Sequence, residues 1–401
     1  MKRYCSFLLA VSLILLPALA PAAQFVVLGP RALGMGGASV AAVNDSTAVY
    51  WNPAALANSR KVDIRLPVGA AIRDYMDLSN NWDRIHAIQD AVNAGNYAAA
   101  AELKRFLLEL DRPDAVTNID VSGGLLVSFP VSSSAVAVSM IGIGFAELRP
   151  TVDRSHLNTS PTSTFDNIAL NNSAVGAFGL VTVEPAVSFA TSLGSNVLVG
   201  ANAKMVYAST FLHSAATHSG NYDNFVSDMN NSETKSHKGS IDAGILFKPV
   251  AGLDIGLVGR YLNSPSFPIA GKVAVRDSSG NVTLVTASGG DIEIKPQFRT
   301  GVAWKPLGNL TLSADYDLTK NKSFTESTED QTIAGGAELT ILNEILSLRA
   351  GAYKNTANSL ANIVYTAGLG VRIFMLRFDL AGAYDFKQQE AQASASLALR
   401  F

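Results

Sequence analysis

The chain has 401 residues, of which 48% are hydrophobic and 16% are charged, and its formal net charge is −2. Ordinary soluble domains carry roughly 25% charged residues, so the composition is unusually poor in charge. A net charge near zero argues against the strongly basic surface that nucleic-acid binding needs. The single cysteine, Cys5, lies close to the start of the chain.

The first residues predict a secretory signal peptide over 1–22. Lys2 and Arg3 give a basic start, residues 7–16 form an apolar core, and the small residues around position 22 suit signal cleavage. Cleavage there removes Cys5, which excludes disulfides, thiol catalysis and cysteine metal sites from the mature chain. No later segment has the ~18 consecutive apolar residues of a membrane helix. We therefore expect an exported protein without a helical anchor.

Two stretches lack the alternation of a strand. Residues 23–60 are rich in glycine and precede the first alternating segment. Residues 73–117 form the first long connection, and within 81–110 the apolar positions follow helical spacing, as in Ala98–Ala101, Leu103 and Phe106. We expect a helical insertion in this connection.

From residue 61 onward, about fourteen segments alternate apolar and polar side chains with the period of two typical of strands. In the last one, 391–401, alanine, leucine and phenylalanine fill the odd positions, and mainly serine, glutamine and arginine fill the even ones. Lipid outside and a wet lumen inside satisfy two such faces. Short connections such as 130–133 alternate with long ones such as 148–173, as in outer-membrane barrels whose short turns face the periplasm.

The sequence therefore predicts an all-β protein in the outer membrane of a Gram-negative-type bacterium. Residues 61–401 form a transmembrane antiparallel β-barrel of about fourteen strands, with 73–117 as an extracellular helical insert. Residues 23–60 then have one obvious place to fold, the barrel lumen, where they form a plug. The bilayer is the expected partner.

The segment Pro30–Ala57 reads PRALGMGGASVAAVNDSTAVYWNPAALA. It resembles the amino-terminal segment of the FadL-type superfamily of outer-membrane barrels, in which an R-A-x-G-x-G-G-A start precedes an acidic-polar stretch and N-P-A. The stretches 259–265, 315–320 and 336–338 are similar to one branch, the TraF-type conjugal-transfer family. The residues that carry the plug motif here are Arg31, Gly34, Gly36, Gly37, Asn52, Pro53 and Ala54.

The resemblance implies a 14-stranded barrel whose lumen is closed by an amino-terminal hatch. For FadL members it also implies passage of hydrophobic molecules through a lateral opening in the wall. The expected function is thus passive uptake of hydrophobic small molecules, such as long-chain fatty acids. The alternative is a non-transporting outer-membrane component of a conjugal-transfer or envelope assembly, whose protein partners the sequence does not name.

Catalytic and metal-binding motifs have weak support. The stretch 34–37, GMGG, lacks the lysine and the following helix of a phosphate loop, so we interpret it as tight packing. No G-x-S-x-G or H-E-x-x-H pattern occurs, and we expect neither enzymatic activity nor a cofactor. The five histidines fall in expected loops and are interpreted as solvated: His86, His156, His213, His218 and His237.

Alternation places several bases toward the lumen, among them Lys204, Arg260, Arg299 and Arg349. They either pair with inward acids such as Asp315 in a cross-strand ion ladder, or form a site for the acidic headgroup of a ligand. Large aromatic residues are expected to face outward and form interfacial girdles. These are Tyr261, Phe298, Trp304, Phe378, Tyr384 and Phe386.

A proline inside a strand marks a possible gap in the wall. Pro185 follows Glu184 in the expected strand 174–190, and proline donates no hydrogen bond to a ladder. The alternatives are a bulge near the rim or an opening through which an apolar ligand leaves sideways. Gly123, Gly124 and Pro67 mark rival positions for such an opening.

Overall fold

The structure is a computed structural model that describes residues 25–77, 87–88, 91, 94, 96–112, 115–160, 167–216, 224–322, 329–358, 361–387 and 390–401. The expected signal peptide, most of the first half of the 73–117 insert, His86 and His218 lie outside the described residues.

Eighteen strands form in the described part of the chain. Fourteen of them close into one antiparallel barrel, which confirms the sequence-based expectation, and β1 pairs with β18 to close the ring. The strands are β1 Asp63–Asp74, β2 Thr117–Val131, β3 Ser134–Thr151, β4 Ala174–Leu193, β5 Val197–Ala216, β6 Thr234–Val250, β7 Leu253–Arg260, β8 Ser266–Arg276, β9 Val282–Glu293, β10 Gln297–Leu307, β11 Leu310–Asp317, β12 Asn321–Lys322, β13 Glu329–Asp330, β14 Thr332–Ile341, β15 Leu346–Asn355, β16 Val364–Ile373, β17 Leu376–Tyr384 and β18 Ala391–Arg400.

The two faces of the wall have opposite polarity. Val68 on β1 and Leu380 on β17 point outward with 58% and 60% of their surface exposed, whereas their strand neighbours Arg65 and Asp379 are buried inside. The closing pair repeats the pattern, with Val68 opposite Ala395 of β18 and the inward Ser394 nearly buried. An apolar outer face is stable only against lipid, which fits a membrane-spanning barrel.

The connections differ between the two ends of the barrel. Turns of two to four residues join β2–β3, β4–β5, β14–β15 and β16–β17 at what we call the short-turn end. The opposite, long-loop end carries the other four strands, which pair outside the barrel as β8–β9 and β12–β13. The β8–β9 hairpin occupies most of the long connection 264–295.

Four α-helices and two short 3-10 helices lie in the described residues, and their bounds are α1 Pro30–Gly34, α2 Ala48–Trp51, η1 Pro53–Asn58, α3 Tyr97–Leu110, η2 Ile168–Leu170 and α4 Phe225–Asn231. Helix α3 lies in the 73–117 connection and begins where the Asn96 side chain accepts hydrogen bonds from the N–H groups of Ala98 and Ala99. Its apolar face packs on Val152 and Ile168 of the next long loop.

No helix in the described ranges combines the length and the apolar character needed to cross a membrane.

Residues 25–59, which we call the N-terminal segment, lie against inward side chains on several sides of the ring. Asn202 of β5 donates to the Val49 carbonyl at 2.6 Å, and the Gly36 N–H donates to Thr366 of β16 at 3.0 Å. Most of its buried apolar residues form one cluster with inward residues of the wall such as Leu126 and Leu246. Helices α1, α2 and η1 are therefore surrounded by strands.

Candidate functional site

Carboxylates of the wall hold the N-terminal segment. Asp315 on β11 accepts hydrogen bonds from the backbone N–H groups of Ser39 and Val40, at 2.7 and 2.9 Å. Glu338 on β14 forms an ion pair with Arg31, with Oε2 and Nη2 2.6 Å apart. Arg31 also donates to the Ala42 carbonyl at 3.0 Å, so the same side chain ties two parts of the segment to the wall.

The glycines of the motif permit close approach of two backbones. Gly36 has φ +70°, and a Cβ there would lie 2.5 Å from the carbonyl oxygen of Ala352. A Cβ on Gly34 would lie 3.1 Å from Cα of Gly368 on β16. Gly37 has φ +85°, a conformation that favours glycine. Gly336 on β14 and Gly351 on β15 face the stretch around Gly36 from the wall. The glycines of the motif therefore let the N-terminal segment pack directly against the strands.

The Asn52-Pro53-Ala54 part of the motif closes the segment at its other end. The Asn52 side chain accepts from the Ala54 N–H and donates to the carbonyls of Val40 and Ile245, each at 3.1 Å. Pro53 opens helix η1, where its missing N–H costs nothing. Asn52 thus caps a helix and links two parts of the segment to β6.

Three of the four predicted lumen bases form ion pairs. Lys204 lies 3.0 Å from Glu184 and 3.1 Å from Asp242. Arg299 makes two hydrogen bonds to Asp317, with Nε–Oδ1 and Nη2–Oδ2 distances of 2.5 and 2.9 Å. Arg349 pairs with Glu338 and Asp379 at 2.9 and 2.8 Å. These contacts match the ion-ladder interpretation.

Arg260 differs from the other three. It is 2% exposed, and among the described residues no carboxylate forms an ion pair with it. Its guanidinium carbon lies 3.8 Å from the ring centre of Tyr50 and 5.0 Å from those of Phe25 and Tyr261. Its Nε has no hydrogen-bond partner. Rings attract a cation but accept no strong hydrogen bond, so Arg260 keeps an unused donor.

The outward orientation expected for Tyr261 is wrong. Tyr261 is 4% exposed and its hydroxyl donates to Glu184 at 2.6 Å. Strand β7 ends at Arg260, and Tyr261 then takes φ +51°, which breaks the alternation. The inward side chain joins the aromatic rings around Arg260. By contrast Trp304, Phe378 and Tyr384 are exposed on the outer face.

Two small cavities flank these residues. One, of about 40 Å³, is lined by Ile143, Phe145, Leu180 and Ile294 together with Arg260. The other, of about 60 Å³, lies between residues 25–27 and the inner faces of β1 and β18, and its lining is mixed polar and apolar. Ligand pockets for small molecules span roughly 300–1,000 Å³, so passage of a ligand requires movement of the N-terminal segment.

The predicted weak points coincide with breaks in the strand pairing. Between β4 and β5 the pairing runs to Val183 and resumes at Ala186, so Glu184 and Pro185 have no partners on β5. Between β1 and β2 it stops at Arg65 and resumes at Val68, which leaves Pro67 and Gly124 unpaired, beside Gly123, which pairs with Val68. The register is unchanged across both breaks. The other ladders of these prolines, β3–β4 and β1–β18, are continuous.

Sequence reasoning missed several residues of the lumen. Glu184, Asp242 and Glu338 supply most of the carboxylates that pair with the bases, and Tyr50 and Phe25 supply rings to Arg260. Glu184 shares its face of β4 with Thr182 and Ser188, so alternation could have found it. The rings lie in a segment without periodicity, and no pattern pointed to them.

His156 belongs to a polar cluster in the second long loop. Its Nδ1 lies 2.7 Å from Asp153 and 2.9 Å from the hydroxyl of Ser155. A Ser-His-Asp catalytic triad needs the two partners on opposite ring nitrogens, so this arrangement is not a triad. Burial raises the pKa of Asp153, but hydrogen bonds from Ser155, the Asn172 N–H and His156 outweigh it and leave that pKa below its usual range. The cluster stabilises a loop.

Solved structures share this architecture. The P. putida toluene transporter TodX is 13% identical, with a TM-score of 0.54 over 93% of this chain and 98% of that one. The Ralstonia pickettii toluene transporter TbuX is 13% identical, with a TM-score of 0.54 over 93% and 97% of the two chains. The monoaromatic hydrocarbon channel CymD is 12% identical, with a TM-score of 0.53 over 94% and 98%. No curated protein matches the chain.

The fold is thus that of these solved transporter structures, which agrees with the barrel that the motif resemblance implied. A family model described as "F plasmid transfer operon, TraF, protein" matches residues 49–317, from helix α2 of the N-terminal segment to the end of β11. Because that match spans well over half of the 401 residues, the chain belongs to this TraF family.

Proposed function

We propose that the protein mediates passive uptake of hydrophobic small molecules across the outer membrane, with residues 23–60 acting as a plug. The observation that carries the proposal is the apolar cavity of Ile143, Phe145, Leu180 and Ile294, which lies beside Arg260. Glu184 accepts a hydrogen bond from Tyr261, which lines the same cavity. The next residue, Pro185, has no partner on β5. A hydrophobic compartment therefore adjoins a break in the wall.

The plug makes a general diffusion pore a poor fit. The N-terminal segment is bonded to β5, β11, β14 and β16, and the lumen cavities that border it are far smaller than a water-filled channel. A ligand must displace part of the segment; residues 25–27 line the larger cavity, and Val26 lines both. Those residues are our candidate for the part that moves.

Lateral exit follows from the solubility of the ligand. A hydrophobic molecule is more stable in lipid than in the aqueous periplasm, so a route through the wall is favoured over one along the axis. The β4–β5 break at Pro185 is our first candidate for the opening, and the β1–β2 break at Pro67 and Gly124 is the rival. The solved structures TodX and TbuX, described as toluene transporters, support a hydrophobic cargo of this general kind.

Arg260 extends the proposal to ligands with an acidic group, such as fatty acids. The lumen bases Lys204, Arg299 and Arg349 already form ion pairs with carboxylates, whereas Arg260 forms none among the described residues, and its Nε donor is buried beside an apolar cavity. Charge-assisted hydrogen bonds to a carboxylate are worth about 1.5–3 kcal/mol. We therefore assign the headgroup site to Arg260.

The test is uptake by cells whose outer membrane lacks other channels for hydrophobic compounds. Expression of the protein should raise the initial uptake rate of labelled toluene and oleate, while the uptake of a sugar of similar size stays at background. Equal uptake of the sugar would indicate an open pore. Background uptake of both hydrophobic compounds would remove the transport proposal.

A second candidate function is a scaffold in a conjugal-transfer or envelope assembly. The turn between β16 and β17 places Phe374 at the short-turn end with 95% of its surface exposed and φ +55°, and Met375 beside it is also exposed. An aromatic residue in such a turn suits contact with a periplasmic protein. A photocrosslinking residue at position 375 in intact cells should trap that protein, and the additional change Phe374→Ser should weaken the crosslink but keep uptake.

A further inference from the structure

The cavity of about 60 Å³ beside residues 25–27, which we call the β1–β18 cavity, contains more acidic than basic side chains. Three carboxylates and two guanidinium groups line it, and they belong to Asp120, Asp330, Glu390, Arg73 and Arg299. Arg299 is already occupied, because two of its nitrogens bond to Asp317, which is not part of the lining. Arg73 is therefore the one cation that faces the three carboxylates, which leaves an excess of two negative charges.

Arg73 compensates the acids of the β1–β18 cavity only in part. Its Nη2 donates a hydrogen bond to Oδ2 of Asp120, whereas its Nη1 lies 3.8 Å from Oδ2 of Asp330, a weaker contact. Oδ1 of Asp120 has no hydrogen-bond partner, although Asp120 is only 4% exposed. Burial raises the pKa of Asp330 to about 6 despite the attraction of Arg73, as expected where positive charge is in short supply.

Glu390 forms no ion pair among the described residues, which include every lysine and arginine after position 22 except Arg84. It is 6% exposed, and its Oε1 accepts hydrogen bonds from the Tyr353 hydroxyl and from Nε2 of Gln392. These bonds satisfy lone pairs but bring no positive charge. A carboxylate buried to this extent is stable in its ionised form only with a compensating charge nearby.

The beginning of the mature chain can supply this positive charge. The predicted signal cleavage after residue 22 creates an α-ammonium group at Ala23, two residues before Phe25. Phe25 lines the β1–β18 cavity together with the next two residues, and two extended residues span at most ~7 Å. The unperturbed pKa of an α-amino group is about 7.7–8.0, so the group is mostly charged at neutral pH.

We propose that the α-ammonium group of the signal-cleaved chain binds in the β1–β18 cavity and neutralises Glu390 and Asp330. The occupant is residues 23–24 of the chain itself, because the described part begins at Phe25 on the cavity wall. The uncleaved precursor cannot make this contact, since the nitrogen of Ala23 is then an uncharged peptide nitrogen. Removal of the signal peptide thus completes the anchoring of the N-terminal segment. The inference rests on the predicted cleavage and is independent of the uptake function.

The experiment measures how fast the α-amine of the purified mature chain in detergent is acetylated by N-hydroxysuccinimidyl acetate at pH 7. Mass spectrometry of the N-terminal peptide gives both the first residue and the rate. We expect acetylation about tenfold slower than in a synthetic peptide of residues 23–31, as one charge-assisted bond predicts. Glu390→Gln combined with Asp330→Asn should raise the rate toward that of the peptide. The matched control Glu344→Gln, which removes an exposed carboxylate at the short-turn end, should keep the wild-type rate.

A second variant keeps the test informative if loss of the two carboxylates impairs folding. Insertion of Gly-Ser-Gly-Ser between Ala23 and Gln24 preserves the residues around the cleavage site and every strand of the barrel. It moves the ammonium group four residues further from Phe25, so acetylation should again approach the rate of the synthetic peptide.

Three results would overturn the proposal. The first is a mature chain that does not begin within one residue of Ala23. The second is an equal rate in the wild-type protein and the synthetic peptide, which would show a free α-amine and leave Arg84 as the candidate counter-charge. The third is slow acetylation in both variants, which would show that these carboxylates do not protect the amine. Toluene uptake is a separate readout, because its failure removes the transport function and leaves the acetylation result standing.

Discussion

Arg31 and Glu338 are 307 residues apart in the chain, yet Nη2 and Oε2 lie 2.6 Å from each other inside the barrel. Glu338 also accepts a hydrogen bond from Arg349 at 2.9 Å. One carboxylate of the wall therefore neutralises one cation of the N-terminal segment and one of the neighbouring strand. The position of the segment depends on a charge that the barrel shares with its own ion ladder.

Glu338→Gln should loosen the N-terminal segment. Removing one partner of a buried ion pair typically costs about 3 kcal/mol, because the remaining charges stay buried without compensation. We expect more frequent openings and a higher mean conductance in planar bilayers. Glu344→Gln is the control, since Glu344 forms a comparable ion pair with Arg372 but is exposed. A conductance equal in all three proteins would show that Glu338 does not hold the segment.

Two adjacent glycines on β14 give a sharper test of the same contact. A Cβ on Gly336 would lie 2.5 Å from the Met35 carbonyl oxygen, whereas a Cβ on Gly335 meets its nearest atom at 3.7 Å. Gly336→Ala should therefore displace helix α1 and make the N-terminal segment accessible to protease. Gly335→Ala should leave cleavage as in the wild type. Comparable protection of both variants would contradict the close packing of segment and wall.

Arg260 and Arg299 should behave differently toward acidic ligands. Arg260→Gln is expected to reduce the affinity for oleate about tenfold and to leave the affinity for its methyl ester unchanged, because it removes the free donor. Arg299→Gln leaves Asp317 without its partner and should lower the unfolding temperature, with equal effects on both ligands. Ligand binding by tryptophan fluorescence and thermal unfolding separate the two cases. An equal loss of oleate and ester affinity in Arg260→Gln assigns Arg260 to structure alone.

Pro185→Val tests the place of lateral exit. Valine restores the N–H that the β4–β5 ladder lacks and favours the strand conformation. The variant should fold and bind ligand but take up labelled oleate several-fold more slowly. Pro306→Val, in β10 at the short-turn end, is the matched control and should transport normally. If a folded Pro185→Val protein takes up oleate at the wild-type rate, the opening does not lie at Pro185, and the break at Pro67 and Gly124 becomes the candidate.

Much of the fold could be predicted from the sequence because a barrel in lipid forces strict alternation. The segment 391–401 has its apolar side chains at odd positions, and β18 places those side chains outward, as expected. The fourteen strands and their short turns follow from the same periodicity. The family motif, from Arg31 to Ala54, was also readable, since glycines and an Asn-Pro pair have few interchangeable substitutes.

Tertiary structure alone decided which charges are satisfied. Lys204, Arg260, Arg299 and Arg349 are equivalent in the sequence, because alternation gives only the face of a strand and never the neighbour across the lumen. Closure of the barrel brought acids to three of them and aromatic rings to Arg260. Tyr261 turned inward because a positive φ ended the strand, and Asp111 reached Arg276 through the packing of separate loops. Local periodicity determines to which face of a strand a side chain points, whereas long-range packing determines which charged or aromatic groups it contacts.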